Sequence, residues 1–160
     1  MPLPPKSWRA SASETVQVVL PNDSNPLGYI LGGTVMHLID ITGAIACHRH
    51  TNALALTAGV DRLDFLHPIK VGDMIILKSR VTATFRTSLE VEVEAFSESI
   101  TTGERKLTSR AFLTFVSLDA EGKPKAVPPL LVEGPEDEER QRQAQARRAE
   151  RLARKEKRGE

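Results

Sequence analysis

Residues 22–50 read NDSNPLGYILGGTVMHLIDITGAIACHRH, a polar loop that runs into a long apolar segment. Pro26 has no amide hydrogen to donate, and the Gly32–Gly33 pair tolerates backbone angles that other residues avoid, so the loop continues neither a helix nor a central strand. The sequence therefore predicts a helix that begins at about Gly33. Its end is predicted at the basic run HRH, because the helix dipole favours cations at a C-terminus.

The predicted helix is apolar on almost every side, which is typical of a helix enclosed by the rest of its protein. Asp40 lies in the middle of this apolar pattern. Burial raises the pKa of a carboxyl group unless a donor is near, and a raised pKa suits a general base. We therefore expect Asp40 to be catalytic, or else to bond a neighbour such as His37, about one turn back.

The residues before the helix also suit a reaction site. Gly32 and Gly33 leave the first amides of the helix open to a close ligand, and a helix N-terminus can stabilise a developing oxyanion. An ordinary tight turn would use the same glycines. Asn25 can orient a water molecule or a carbonyl through its amide, or serve only as a turn residue.

The spacing within the helix indicates a second copy of the chain. Gly33 and Asp40 are two turns apart, which is roughly 10 Å along one helix. If both groups act on one reacting carbon, they must come from two antiparallel copies of the helix, as in a two-fold dimer. The small residues Gly43 and Ala44 would let the second backbone approach.

Five further segments are predicted as strands from their β-branched content or their period-two alternation. They are Thr15–Leu20, Ala53–Phe65, Met74–Phe85, Leu89–Ala95 and Arg105–Leu118. In the fourth, apolar residues alternate with Glu90, Glu92 and Glu94, so we expect this glutamate row to face water. A short strand, a central helix and four long strands in meander order predict an α+β fold, an antiparallel sheet of about five strands wrapped round the helix. A free sheet edge would pair with a second copy.

The C-terminal segment differs in composition from the body of the chain. Residues 133–160 hold nine Lys or Arg and eight Asp or Glu, with the acidic residues first. This order matches a helix dipole, but Leu152 is the only large apolar residue. We expect a solvated helix, frayed or disordered, with no core of its own.

An ordered set of motifs carries a family resemblance. The pattern N-x-x-G-x-x-x-G-G-x-x-M-x-x-x-D is formed by Asn25, Gly28, Gly32, Gly33, Met36 and Asp40. The chain resembles the acyl-CoA hydrolase branch of the hotdog-fold acyl-CoA thioesterases, and the likeness continues through ACHRHTNALALTAGVDRLDFLHPIKVGDMI, TFRTSLEVEVE and AFLTFVSLDAEGKPKAVP, over about Val16–Pro128. Leu31, directly before the Gly-Gly pair, departs from the family, because many members have His at this position.

The resemblance implies a hotdog fold and hydrolysis of acyl-CoA to a free acid and CoA. It implies that Asn25 of one protomer and Asp40 of the other act on the thioester, while the Gly33 amide polarises its carbonyl. It also implies a homodimer with shared active sites, and a hexamer assembled as a trimer of dimers. The substrate would be bound by Gly32 and by the segment Arg86-Thr87-Ser88, which would meet the CoA phosphates or pantetheine amides. The alternative for that segment is a polar hairpin turn.

The length and composition of the chain limit the class of protein and its partners. The chain has 160 residues, 40% of them hydrophobic, and a net charge of +1, which indicates one domain with no nucleic-acid partner. A single cysteine, Cys47, fits a reducing cytoplasm. No apolar run reaches the roughly 18 residues of a membrane span. We expect a flexible arm over residues 1–14, a hotdog domain over 15–130 and the charged tail over 131–160.

Two other functions remain open for the same residues. A hotdog hydratase or dehydratase would use His37 as the acid–base partner of Asp40, and a sensor would bind acyl-CoA without reaction. In the thioesterase, Asp40 acts as a general base, or alternatively as a nucleophile. No metal site is expected, since His48 and His50 cannot share a helix face. No metal or redox cofactor is required, because CoA belongs to the substrate and product.

Overall fold

The computed structural model describes residues 2–160, which form a five-stranded antiparallel sheet, a small two-stranded sheet and two long helices. The elements in chain order are β1 (Lys6–Ser7), β2 (Ser13–Val18), α1 (Gly32–Thr51), β3 (Leu54–Phe65), β4 (Met74–Thr84), β5 (Ser88–Glu98), β6 (Arg105–Leu118), β7 (Leu130–Leu131) and α2 (Pro135–Arg158). The predicted hotdog architecture is confirmed, with α1 at its centre. Across the described residues, no helix is both long and apolar enough to cross a membrane.

Helix α1 packs on one face of the large sheet. Its buried apolar side chains form one core with the residues of the strands that point towards it. Gly43 lies where the helix and the sheet approach closely, since a Cβ atom there would be 3.3 Å from the side chains of Phe115 and Val93. The expectation that Gly43 receives a second chain is therefore wrong, because its missing side chain makes room for this chain's own sheet.

The strand order corrects the predicted meander. The order across the sheet is β2-β4-β5-β6-β3, so the strand that follows α1 pairs with β6 at the far edge. Neighbouring strands in sequence usually pair, and nothing in the composition of β3 marks it as the exception. The order leaves β2 and β3 as the two edges, and β3 exposes several large apolar side chains there: Leu54, Leu56, Val60 and Phe65.

The expected flexible arm is wrong for residues 6–14. Strand β1 pairs in parallel with β7, and β2 already begins at Ser13. Between them the half-buried ring of Trp8 lies 3.7 Å from the guanidinium carbon of Arg80. A tryptophan ring combines a large apolar area with attraction for a cation, and these contacts order a segment that has no periodic pattern.

The charged tail is likewise not a solvated helix. Helix α2 lies across the sheet face opposite α1, where Arg140 contacts Glu92 at 2.9 Å and Arg147 contacts Glu90 at 2.8 Å. Glu90 and Glu92 are only 2% and 6% exposed, so the prediction that the glutamate row faces water is wrong for these two residues. The reason is that arginines far along the chain, rather than water, supply the hydrogen bonds of these carboxylates.

Candidate active site

The loop before α1 is organised by Asn25. Its Oδ1 accepts hydrogen bonds from the amides of Leu27 at 3.0 Å and Tyr29 at 3.1 Å, while its backbone carbonyl accepts from Gly28 at 3.0 Å. Gly28 has a φ of 83°, a conformation that glycine adopts without strain. Asn25 is thus the turn residue that the sequence allowed. Its side-chain NH₂ group donates to no other described residue and can still meet a ligand.

The N-terminus of α1 presents free donors. The carbonyl of Leu31 accepts from the amides of Thr34 and Val35, both at 3.1 Å, and the amides of Gly32 and Gly33 donate to no acceptor among residues 2–160. Gly33 is exposed, and a Cβ atom there would meet nothing within 4 Å, so a ligand has room to approach this residue. The helix begins at Gly32, one residue before the predicted start.

Asn25 and Gly32 share one cavity at this end of α1. The cavity has a volume of about 300 Å³, and its other lining residues include Tyr29, Val35 and Phe65. The structure therefore brings two of the predicted site residues together. An amide group and the open end of a helix can bind a carbonyl oxygen or a water molecule in this cavity.

Asp40 lies two turns further along, half-buried, beside β3. Its Oδ1 accepts a hydrogen bond of 2.6 Å from the hydroxyl of Thr57. Asp40 and Thr57 line a second cavity, of about 200 Å³, whose other lining residues are apolar. A carboxylate with one oxygen fixed by a hydroxyl, on the wall of a small apolar cavity, is suited to take a proton from water.

Thr57 is the site residue that sequence reasoning missed. The only signal was a hydroxyl within the otherwise apolar run ALALTAGV, which also fits an ordinary strand. The expected alternative for Asp40, a bond to His37, is not formed, since His37 is exposed and does not line the cavity of Asp40. The geometry thus lacks the feature that a His37–Asp40 hydratase needs.

A single chain does not bring Asp40 and Asn25 into one cavity. Asn25 lines the cavity at the start of α1, whereas Asp40 lines the one beside Thr57. This is the separation expected from two helical turns between Gly33 and Asp40.

The segment Arg86-Thr87-Ser88 forms the hairpin between β4 and β5. Its backbone carbonyls are already engaged, since Arg86 accepts from Val127 at 3.0 Å and Thr87 from Ser117 at 2.9 Å. The hairpin lies at the sheet end where β3 begins, while Gly32 shares its cavity with Phe65 at the other end of β3. The structure therefore does not bring this segment next to Asn25 within one chain, and the Arg86 side chain is exposed.

The Cys47 thiol and the His50 imidazole are buried and line neither cavity. Burial raises the pKa of the Cys47 thiol to about 12, which leaves no reactive thiolate. Burial also lowers the pKa of His50, whose Nε2 lies 2.7 Å from the carbonyl oxygen of Pro128. Within residues 2–160, no group of three or more His, Cys, Asp or Glu side chains is placed to hold a metal ion.

Comparison with known proteins reveals related sequences. Residues 27–104 match the model of the thioesterase superfamily. The uncharacterized acyl-CoA thioester hydrolase YkhA of Bacillus subtilis is 41% identical over 119 residues, covering 74% of this chain and 69% of its own. The human cytosolic acyl coenzyme A thioester hydrolase is 36% identical over 159 residues, covering 94% of this chain but 41% of its own. The chain thus spans less than half the length of the human relative.

Solved structures share the whole fold. A hexameric acyl-CoA thioesterase in its apo form has a TM-score of 0.91 at 39% identity, with 95% of this chain and 97% of the other covered. The acyl-CoA hydrolase of Staphylococcus aureus, in complex with butyryl coenzyme A and coenzyme A, has a TM-score of 0.88 at 35% identity, with 96% and 94% covered. Alanine variants of one aspartate, one asparagine and one threonine of that enzyme have also been solved. The chain belongs to the thioesterase superfamily, among the hotdog-fold acyl-CoA thioester hydrolases.

Proposed function

We propose that the protein hydrolyses acyl-CoA thioesters to a free carboxylic acid and CoA. The observation that carries the proposal is the Asp40 carboxylate, held by Thr57 at 2.6 Å on the wall of an otherwise apolar cavity. An acyl chain fits apolar walls, and a carboxylate beside them can act on the bond that joins the chain to sulfur. The names of the relatives support the same chemistry.

Each group has a distinct role in the proposed reaction. Asp40 takes a proton from water while the water oxygen bonds to the thioester carbon, and the developing oxyanion is stabilised by the amide of Gly33. Asn25 orients the water or the carbonyl through its free NH₂ group. The carbon–sulfur bond then breaks, and the proton passes from Asp40 to the departing thiolate. This sequence of steps calls on no metal or redox cofactor.

The complete site is proposed to form between two protomers. Strand β3 is an edge with free backbone groups and exposed apolar side chains, among them Leu56 and Val60. Pairing of two β3 strands about a two-fold axis would extend the sheet and place two copies of α1 antiparallel. Asp40 would then face the partner's Gly33 and the partner's Asn25, which explains why one chain keeps its two cavities apart.

We further propose a hexamer, assembled as a trimer of dimers, that works in the cytoplasm. Three solved structures of related thioesterases are described as hexameric, and the human relative is described as cytosolic. In such an assembly the hairpin Arg86-Thr87-Ser88 would meet the CoA of a neighbouring site. Its exposed guanidinium suits a phosphate, and its hydroxyls suit the pantetheine amides.

The function is tested by steady-state release of CoA thiol from butyryl-CoA. Wild type is expected to turn over, and Asp40→Asn to lose about a hundredfold or more in kcat, because the amide cannot take up the proton. Asp64→Asn is the matched control, since Asp64 pairs with Arg62 on the surface. If wild type binds acyl-CoA but releases no thiol, the protein is an acyl-CoA-binding protein and not a hydrolase.

A further inference from the structure

The cavity beside Asp40 is nearly free of polar groups. Asp40 and Thr57 form one wall, and the Thr57 hydroxyl donates to one of the two carboxylate oxygens of Asp40. The rest of the lining is aliphatic: Met36, Ile39, Val60, Leu63 and Leu113. A space of this kind favours a hydrocarbon chain over water, because water needs several polar partners.

Burial of the lining residues defines the two ends of the cavity. Ile39 and Leu113 are 2% and 1% exposed and belong to the main core, so they form its floor. Met36 and Val60 are 49% and 47% exposed, so they form its mouth. Leu113 lies on β6 and is paired with Val60 on β3 and with Val91 on β5. The sheet itself therefore closes the floor.

The volume limits what the cavity can hold. It measures about 200 Å³. One water molecule occupies about 30 Å³ of the liquid, and a methylene group is of similar size, so the cavity has room for roughly six such groups. Protein cores are close-packed, and a longer chain would have to displace the buried Leu113 or Ile39.

We propose that this cavity is the acyl site and restricts the enzyme to acyl chains of up to about seven carbons, the thioester carbon and roughly six groups beyond it, with Leu113 at the floor as the residue that sets the limit. The inference rests on the proposed hydrolysis of acyl-CoA. The thioester carbon lies at the wall formed by Asp40 and Thr57, and the chain extends towards the floor between Ile39 and Leu63.

The test measures kcat/KM for acetyl-, butyryl-, hexanoyl-, octanoyl-, decanoyl- and dodecanoyl-CoA. For wild type, kcat/KM is expected to rise about fourfold per buried methylene up to hexanoyl- or octanoyl-CoA, and to fall for the two longest chains. If dodecanoyl-CoA is hydrolysed as efficiently as hexanoyl-CoA, the acyl-length limit is wrong. If no substrate releases thiol, the proposed function itself fails.

Two lining variants test the floor in opposite directions. Leu113→Ala shortens the side chain at the closed end and so lengthens the cavity. It is expected to raise the ratio of kcat/KM for decanoyl-CoA over butyryl-CoA by about tenfold or more. Leu63→Phe fills the cavity and is expected to lower the ratio for octanoyl-CoA over butyryl-CoA. Each ratio is taken within one preparation, so it does not depend on the fraction of folded protein.

Leu89→Ala is the matched control, because Leu89 is as buried as Leu113 but does not line the cavity. It should lose stability to a similar extent and keep the wild-type ratio. An unchanged ratio in Leu113→Ala, or the same change in Leu89→Ala, would overturn the assignment of the floor. Should Leu113→Ala give no folded protein, the wild-type series and Leu63→Phe still decide whether this cavity limits the acyl chain.

Discussion

Thr57 and Asp40 are joined by a hydrogen bond of 2.6 Å, donated by the threonine hydroxyl to Oδ1 of the carboxylate. The bond links edge strand β3 to the middle of α1, so one contact fixes the carboxylate and ties it to the edge where a second protomer is proposed to dock. Hydrogen bonds to charged groups are stronger than neutral ones and more specific in direction.

Thr57→Val is expected to lower kcat by about tenfold or more, since a hydrogen bond to a charged group contributes roughly 1.5–3 kcal/mol. KM should change little, because valine keeps the shape of the cavity wall. Thr57→Ser keeps the hydroxyl and should stay close to wild type. Steady-state kinetics with butyryl-CoA checks all three proteins. Full activity of the valine variant would show that the reaction does not need the Thr57 hydroxyl.

Arg147→Met is expected to lower the free energy of unfolding by about 3 kcal/mol or more, because it leaves the buried carboxylate of Glu90 without its cation. Glu90 accepts from Arg147 at 2.8 and 2.9 Å. Urea unfolding gives the value. A double variant with Glu90→Gln should recover much of the loss, since no buried charge remains.

Arg142→Met is the control for that experiment. Arg142 lies on the same helix but pairs with Glu139 in the solvent, so its loss should leave the unfolding curve unchanged. Equal effects of the two arginine variants would mean that α2 does not need its buried ion pairs.

Stability should fall as the pH drops below about 6.5, in part through His50. Burial lowers the pKa of His50 from its usual 6.5, so the folded chain stays neutral where the unfolded chain already binds a proton. Above that pH both states are neutral and His50 contributes no pH dependence. Urea unfolding measures the free energy of unfolding at pH 7.5 and at pH 5.5. The difference between these two values should be smaller for His50→Gln than for wild type. An unchanged difference would rule out a contribution from His50.

Cys47 should not react with a thiol reagent in the folded protein. It is buried, and burial raises the pKa of its thiol to about 12. The reagent should detect one thiol per chain only after unfolding in urea. Rapid labelling of the native protein would contradict the packing of α1 on the sheet.

The sequence predicted the parts of the molecule that depend on local pattern. The bounds of β6, Arg105–Leu118, were predicted correctly, because its apolar and β-branched content lies between clear turn residues. The start of α1 was predicted to within one residue from its glycines. Asn25, Gly32, Gly33 and Asp40 were placed by motif, and their roles in the reaction remain predictions.

The rest depends on contacts between distant residues. Arg147 and Glu90 are 57 positions apart, and no local pattern shows that one neutralises the other. Strand β3 pairs with β6 rather than with β4, the next strand along the chain. Thr57 meets Asp40 only because α1 and β3 are adjacent in space.

Mixed oligomers test most directly whether two protomers share one hydrolytic site. Asn25→Ala and Asp40→Asn should each be inactive alone. After the two variants are unfolded together and refolded at equal amounts, half of the dimers contain one copy of each, and one of their two sites is intact if the residues come from different chains. CoA release should therefore recover to about a quarter of the wild-type rate. No recovery from correctly assembled mixtures would contradict the shared site.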